Sequence, residues 1–207
     1  MSTFTTLKAN IRADLDDAAI KSYTATDIND SVQDTYDDIV SLSHCIVKKV
    51  TLNWTANLSY YDFPTLVSDF MAVVAIFNNV NNRWLHDDKS ILDFDMMRND
   101  WEVATGTPQN WAALNYKHTA VFPRYVSAAG TYDLYYWAKA PTVVDAAAPL
   151  IATDFQRLIT NGSIADLLES YEEFSKAGIF WNEYVKDLEA FAERIRDQAK
   201  TDLLILI

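Results

Sequence analysis

Cysteine is almost missing: Cys45 stands alone in 207 residues. No disulfide within the chain, no CxxC redox centre and no thiolate metal site can be built from it, which fits an intracellular site of synthesis. Basic residues are also scarce, 17 against 29 acidic ones, and the formal charge of -12 repels nucleic-acid phosphates and acidic membranes, so a duplex-gripping role is disfavoured. The longest apolar runs, MAVVAIF at 71–77 and LLILI at 203–207, fall far short of the roughly 20 residues of a spanning helix. The N-terminal MSTFTTLKANIRADL lacks the apolar stretch of a secretory signal. Neither membrane insertion nor a signal peptide is expected. Glycine and proline number only 4 and 5, so TGTPQNW at 105–111, which uses one of each, asks whether it cradles a ligand or turns the chain.

What is present is core material. Half of the chain is hydrophobic and 13% is aromatic, enough for one large or two small domains. Phe4, Leu7, Ile11, Leu15 and Ala18 recur at helical steps. Thr24 and Asp27 have capping-box spacing before Ile28, Val32, Tyr36 and Ile39 mark a second buried side, with Asp30, Asp34, Asp37 and Asp38 on the other. From Val47 the period drops to two through Val50, Leu52 and Trp54, and a strand is expected near Leu58 and Tyr60. MAVVAIF reads as a strand buried on both faces, ended by the asparagines of NNVNNR. SILDFDMMRNDW predicts a short helix. Leu114 and Tyr116 resume alternation, with a turn near Lys117 and a return through Val121; Tyr132, Leu134, Tyr136 and Ala138 share one strand face. Thr153 and Gln156 suggest another capping box. Gly162 is placed as a bend, Ala177-Gly178 as a helix stop, and Trp181, Tyr184, Leu188, Phe191, Ile195 and Ala199 as a long final stripe.

The resulting expectation is an α+β fold. A discontinuous helical bundle (1–45 and 150–207) surrounds an inserted central antiparallel β domain (46–149) of about five or six strands.

Reactive constellations are weak. In HDDK at 86–89 adjacent side chains diverge and do not chelate one ion easily. His44 and His118 have no nucleophile at a recognisable elbow, and Asp93 with Asp95, or Glu172 with Glu173, are ordinary pairs in so acidic a chain. YYW at 135–137, with Arg124 in the preceding segment, suits strand packing better than base stacking because a basic groove is missing. TGTPQNW matches neither the dinucleotide turn nor the phosphate loop. It reads as a joint in which Gly106 permits reversal, Pro108 fixes the start of a strand and Trp111 anchors it. No catalytic residue, metal ligand or cofactor is assigned, and the chain is read as a non-enzyme. LLILI either packs back on the helices or docks on a partner.

Trp101, Gly106-x-Pro108-x-x-Trp111, Pro123, Tyr132-x-Leu134-x-Tyr136 and Pro141, together with Tyr61-Asp62-Phe63-Pro64 and helices over 3–42, resemble the adaptor proteins of tailed-phage necks. The resemblance covers nearly the whole chain in element order. It implies a structural virion protein of the head-tail neck, a ring of twelve copies under the portal, tail or nozzle proteins below, and DNA passing through the lumen without sequence-specific binding. Leu203, Leu204, Ile205, Leu206 and Ile207 are the portal-docking residues it implies. This chain departs from the pattern in its poverty of glycine and its bare aliphatic end. The competing readings are a hydrolytic or carbohydrate-binding tail module using Asp133 and Trp137, and a tail-completion or nozzle ring.

Overall fold

A computed structural model describes residues 2–15, 23–87, 90–97, 100–115, 118–125 and 130–205. In chain order the elements are α1 (Phe4–Asp14), α2 (Ala25–Ser43), β1 (Val47–Asn53), β2 (Tyr60–Asp62), α3 (Phe63–Leu66), β3 (Phe70–Asn78), β4 (Arg83–Trp84) and α4 (Ile91–Met97). There follow β5 (Thr105–Gly106), β6 (Asn110–Ala113), β7 (His118–Phe122), β8 (Arg124–Tyr125), β9 (Thr131–Ala138), α5 (Arg157–Ser170) and α6 (Phe174–Ile205). The fold is α+β, and the chain divides into two compact units, 1–46 with 140–207 and 47–139.

In the helical unit, α1 starts where Thr3 Oγ1 accepts the Thr6 N–H at 3.4 Å, and it buries Phe4, Leu7 and Ile11. Leu15 caps this helix, and Ala18 lies outside the described residues. The Thr24–Asp27 capping box forms reciprocally, at 3.1 and 2.8 Å. It orients α2 so that Ile28, Val32, Tyr36 and Ile39 enter the core. His44, at φ 53, ends α2 in the left-handed region.

Helix α5 packs against α1, α2 and α6, which explains why it buries residues around most of its circumference, Leu158, Ile159, Ser163, Ile164 and Leu168 among them. Its Gly162 serves close packing rather than a bend. A methyl carbon there would lie 2.5 Å from Thr35 Cγ2 and 3.0 Å from the Tyr184 ring. Arg157 clamps Asp187 of α6 through two N–H donors at 2.5 and 3.1 Å.

Two helix boundaries differ from the sequence reading. Thr153–Phe155 is a 3₁₀ turn, and Gln156 starts α5 without a side-chain cap, so Thr153 and Gln156 make no capping box. The break between the last helices falls at Glu172, φ 63, where the Glu173 N–H reaches Leu168 O at 2.8 Å. Gly178 lies inside α6. Glycine weakens a helix by about 1 kcal/mol but does not by itself stop one, whereas a left-handed residue does.

In the β unit, one sheet has the order β1-β9-β3-β4, all antiparallel. Val50 and Ile76 flank Leu134 from either side. The inward row Tyr132, Leu134, Tyr136 and Ala138 is buried as its alternation predicts. It packs with Trp54, Tyr61, Phe63 and Phe70, the Trp54 and Tyr132 rings lying 4.2 Å apart. MAVVAIF forms β3, but residues 71–75 are only half-buried, because the outward face carries a row of rings, Phe77 on Trp84 and Trp84 on Tyr135, with no described layer over it.

Strands β2-β7-β6 make a second sheet, and β5 pairs with β8 in parallel, a departure from a wholly antiparallel domain. The return through Val121 is present in β7, opposite Trp111. The expected strand near Leu58 starts at Tyr60, and β6 stops at Ala113, leaving Leu114 exposed. Tyr116 and Lys117 lie outside the described residues.

Candidate functional site

The joint at 101–111 is laced to three neighbouring strands. The Trp101 indole N–H donates to Asp95 at 2.5 Å, and its ring sits with Phe94, Ala112 and Ala120 in a small core edged by Tyr60, Ile91 and Phe122. Glu102 receives the Tyr60 hydroxyl, and its carbonyl receives Ser59 Oγ at 2.6 Å. Burial, reinforced by that carboxylate, pushes the Tyr60 phenol up to about 12.

Gly106 pairs with Tyr125 and has no positive φ, so the reversal expected of it is not its role. A side chain there would meet Pro123 Cγ at 3.0 Å, and glycine is needed for that close approach. Pro108 O accepts the Asn78 amide at 3.4 Å, while Gln109 and Trp111 exchange backbone bonds with His86 at 2.8 and 2.9 Å. Trp111 is buried. Residues 105–111 thus tie the three small strand groups together, and every polar group named in the joint has a protein partner.

Of the carboxylates considered for acid–base work, Asp93, Asp95, Asp133 and Glu173 have structural partners. Asp93 and Ser90 form a capping box on α4. Asp133 accepts from Lys49 and Thr51, both at 2.6 Å, and from Asn79 at 3.1 Å. Burial opposes its charge, but those donors outweigh burial and hold its carboxyl below the usual range. Asp69 behaves alike: burial raises it, and Lys48 with the Tyr136 hydroxyl more than offsets the rise. Trp137 lies half-buried on the outward side of β9 beside the Asp133 row. Glu173 pairs with Lys176.

His86 sits in an isolated bridge to Asn110, and His118 opens β7 opposite Asp62. Asp87 is exposed, and Asp88 and Lys89 lie outside the described residues. Among the described residues no group of three or more His, Cys, Asp or Glu is placed to hold a metal ion, and no helix is long and apolar enough to cross a membrane.

Two surface features stand apart from these engaged groups. The first is an acidic stripe on α2, continued by Asp166 of α5. Partial burial and then Asp166, Asp37, Asp30 and Asp38 raise the Asp34 carboxyl above its ordinary value. The second is the reach of α6. Its buried side consists of Ala177, Tyr184 and Phe191, and Phe155 closes the contact, its ring tilted against Phe191 at 4.8 Å and covered by the Arg194 guanidinium at 5.4 Å. From Arg194 to Ile205 the helix runs on for about 16 Å at 1.5 Å per residue. Leu203, Leu204 and Ile205 are its last described residues; Leu206 and Ile207 lie outside them.

Sequence reading missed one built surface, the segment 141–150. Five hydrogen bonds hold it: Phe4 N to Ala147 O (2.9 Å), Thr5 N and Oγ1 to Asp145 O (3.1 and 2.8 Å), Val143 N to Gln33 (2.7 Å) and Leu150 N to the Tyr36 hydroxyl (2.9 Å). The one signal was compositional: ten residues, PTVVDAAAPL, with Asp145 alone ionisable.

No curated protein gives a match to the chain. The profile of the SU10 adaptor protein family matches residues 2–203, from the cap of α1 to the last turn of α6. A match that takes in both helical ends and the laced strands between them leaves one assignment: the chain belongs to the SU10 adaptor protein family.

Proposed function

We propose that this phage adaptor protein assembles as a ring, of twelve copies, between the portal of the head and the tail or nozzle proteins, with DNA passing through its lumen. The family match over residues 2–203 carries the reading. Three features support it. The carboxylates Asp69, Asp93 and Asp133 are engaged by structural partners, as suits a scaffold. The acidic stripe around Asp34 belongs on a wall that DNA must slide past without sticking. The extension of α6 brings an uncharged aliphatic end, Leu203 to Ile207, to where a portal groove can receive it. In this role the two units act as separate domains, the helical one, which includes the residues 140–149 that the sequence reading gave to the β domain, toward the portal, while Gly106, Pro108 and Trp111 keep the β domain's strand groups in register.

The test is a binding measurement between purified protein and the portal ring. Deletion of residues 203–207 leaves the thermal transition where it was and abolishes binding. Unchanged binding after the deletion sinks the docking role of the tail, and no binding by the full chain sinks the portal reading.

A further inference from the structure

We propose that the groove between α2 and α6, floored by α5, binds a linear polyamine, its ammonium groups held by Asp34, Asp38 and Asp166 and by the hydroxyl oxygen of Tyr184. The site lies wholly within the helical unit and stands apart from the ring reading above.

Asp30, Asp34 and Asp38 follow one another at one-turn spacing on α2, about 6 Å apart along the axis. Asp166 of α5 approaches this row from across the groove. Partial burial, then Asp166, then Asp37, Asp30 and Asp38 raise the Asp34 carboxyl, so every charge acting on it is another carboxylate. The helical unit's ion pairs form elsewhere, Lys8 with Asp145, Arg157 with Asp187, Lys176 with Glu173 and Arg194 with Asp154. Among the described residues no ion pair closes on the row.

Tyr184 reaches this row from α6. Its ring lies 3.0 Å from where a methyl carbon on Gly162 would sit, and that same carbon would meet Thr35 of α2. The phenol therefore crosses α5 toward α2, where Asp38, one turn beyond Thr35, acts on it. The residue is 5% exposed and its hydroxyl has no hydrogen-bond partner. Burial, then Asp38, pushes the phenol up to about 12, so it meets a ligand as a neutral hydroxyl with its lone pairs free. Leaving such a buried oxygen unpaired is costly, and a ligand's N–H relieves it. Trp181 adds an aromatic wall, edge-on to Tyr184 at 5.4 Å, its N–H donated to Glu169 at 3.0 Å, one turn on from Asp166.

The chemistry of these groups selects the ligand. Each free group here accepts hydrogen bonds or presents a π face, so the ligand supplies donors and positive charge. The carboxylates are dispersed: among the described residues no three are placed to hold one metal ion. A flexible chain with an ammonium group at each end matches carboxylates spaced by helical turns, whereas a compact ion engages them one at a time.

The experiment is isothermal titration calorimetry of the full chain with butane-1,4-diamine at constant ionic strength. The expected result is saturable binding of one molecule per chain, weakened more than about tenfold by Asp34→Asn with Asp166→Asn. Tyr184→Phe keeps the ring, loses the oxygen and weakens binding about tenfold. Glu193→Gln, nine residues from Tyr184 and so on the opposite side of α6, leaves it unchanged. Magnesium chloride at matched ionic strength does not compete. Equal competition by magnesium, or an equal loss with Glu193→Gln, reduces the effect to a counterion atmosphere and overturns the site. So does an absence of binding, or wild-type affinity in either site variant. Circular dichroism melts establish that each variant is folded, and if Tyr184→Phe unfolds, the aspartate pair decides. Failure of the chain to bind the portal is a separate result and leaves diamine binding untouched.

Discussion

Gly162 and Gly178 are two helical glycines whose replacement by alanine has opposite consequences. At Gly162 the new methyl carbon lands 2.5 Å from Thr35 Cγ2 and 3.0 Å from two Tyr184 ring carbons. Thr35 and Tyr184 are themselves 6% and 5% exposed, so neither can swing into solvent. Thr35 is also β-branched within a helix, which restricts its rotamers. The clash must be relieved by moving α2 or α6 away from α5, an overpacking cost of about 1–3 kcal/mol. Helix propensity returns about 1 kcal/mol, leaving a net loss of up to about 2 kcal/mol.

At Gly178 an alanine methyl carbon would have nothing within 4 Å of it, so the replacement keeps the whole propensity gain of about 1 kcal/mol. For a chain this size each kcal/mol moves the midpoint by about 2–4 °C. Thermal melts followed by helical circular dichroism should therefore show Gly162→Ala a few degrees below wild type and Gly178→Ala a few degrees above. If Gly162→Ala melts at or above Gly178→Ala, the close approach of α5 to α2 and α6 is wrong.

Other outcomes follow from the same contacts. Asp69 and Asp133 titrate below their ordinary range, so the unfolded chain binds more protons, and their stabilisation is present above about pH 4 and lost as pH falls through the native values. Asp69→Asn with Asp133→Asn should flatten the acid side of a plot of Tm against pH. Asp34 has the opposite sign: its raised value means the charged form is disfavoured in the native state, so Asp34→Asn should raise Tm at neutral pH, with the gain shrinking in high salt and at acid pH. Thr24→Ala removes half of the α2 capping box and should cost about 1 kcal/mol in urea unfolding. Trp101→Ala empties the small core beside Phe94 and should cost about 3–5 kcal/mol.

Periodicity carried much of the fold. The stripes Phe4-Leu7-Ile11 and Ile28-Val32-Tyr36-Ile39 and the alternation Tyr132-Leu134-Tyr136-Ala138 are all buried as written, because burial on one face leaves a regular trace in sequence. What escaped depends on a third dimension. Gly162 and Gly106 look like backbone breakers in one dimension, and only the nearness of Tyr184 and of Pro123 gives their real reason. Glu172 adopts a left-handed conformation that its residue type does not advertise, which displaced the helix break from Gly178. The apolar segment 141–150 read as a loose connection because its anchors, Thr5, Gln33 and Tyr36, lie more than 100 residues away along the chain. Sequence could name Leu203 to Ile207 as a candidate docking end, since an uncharged aliphatic run is visible without a fold.

The central claim is the place of this protein in the particle, and an electron cryo-microscopy reconstruction of the phage neck tests it most directly. The account predicts a closed ring of this chain immediately below the portal, the C-terminal ends of α6 seated in portal density and the acidic stripe of α2 facing the channel. A neck whose portal is followed by some other protein, or this chain found in the tail tip or inside the head, would contradict it.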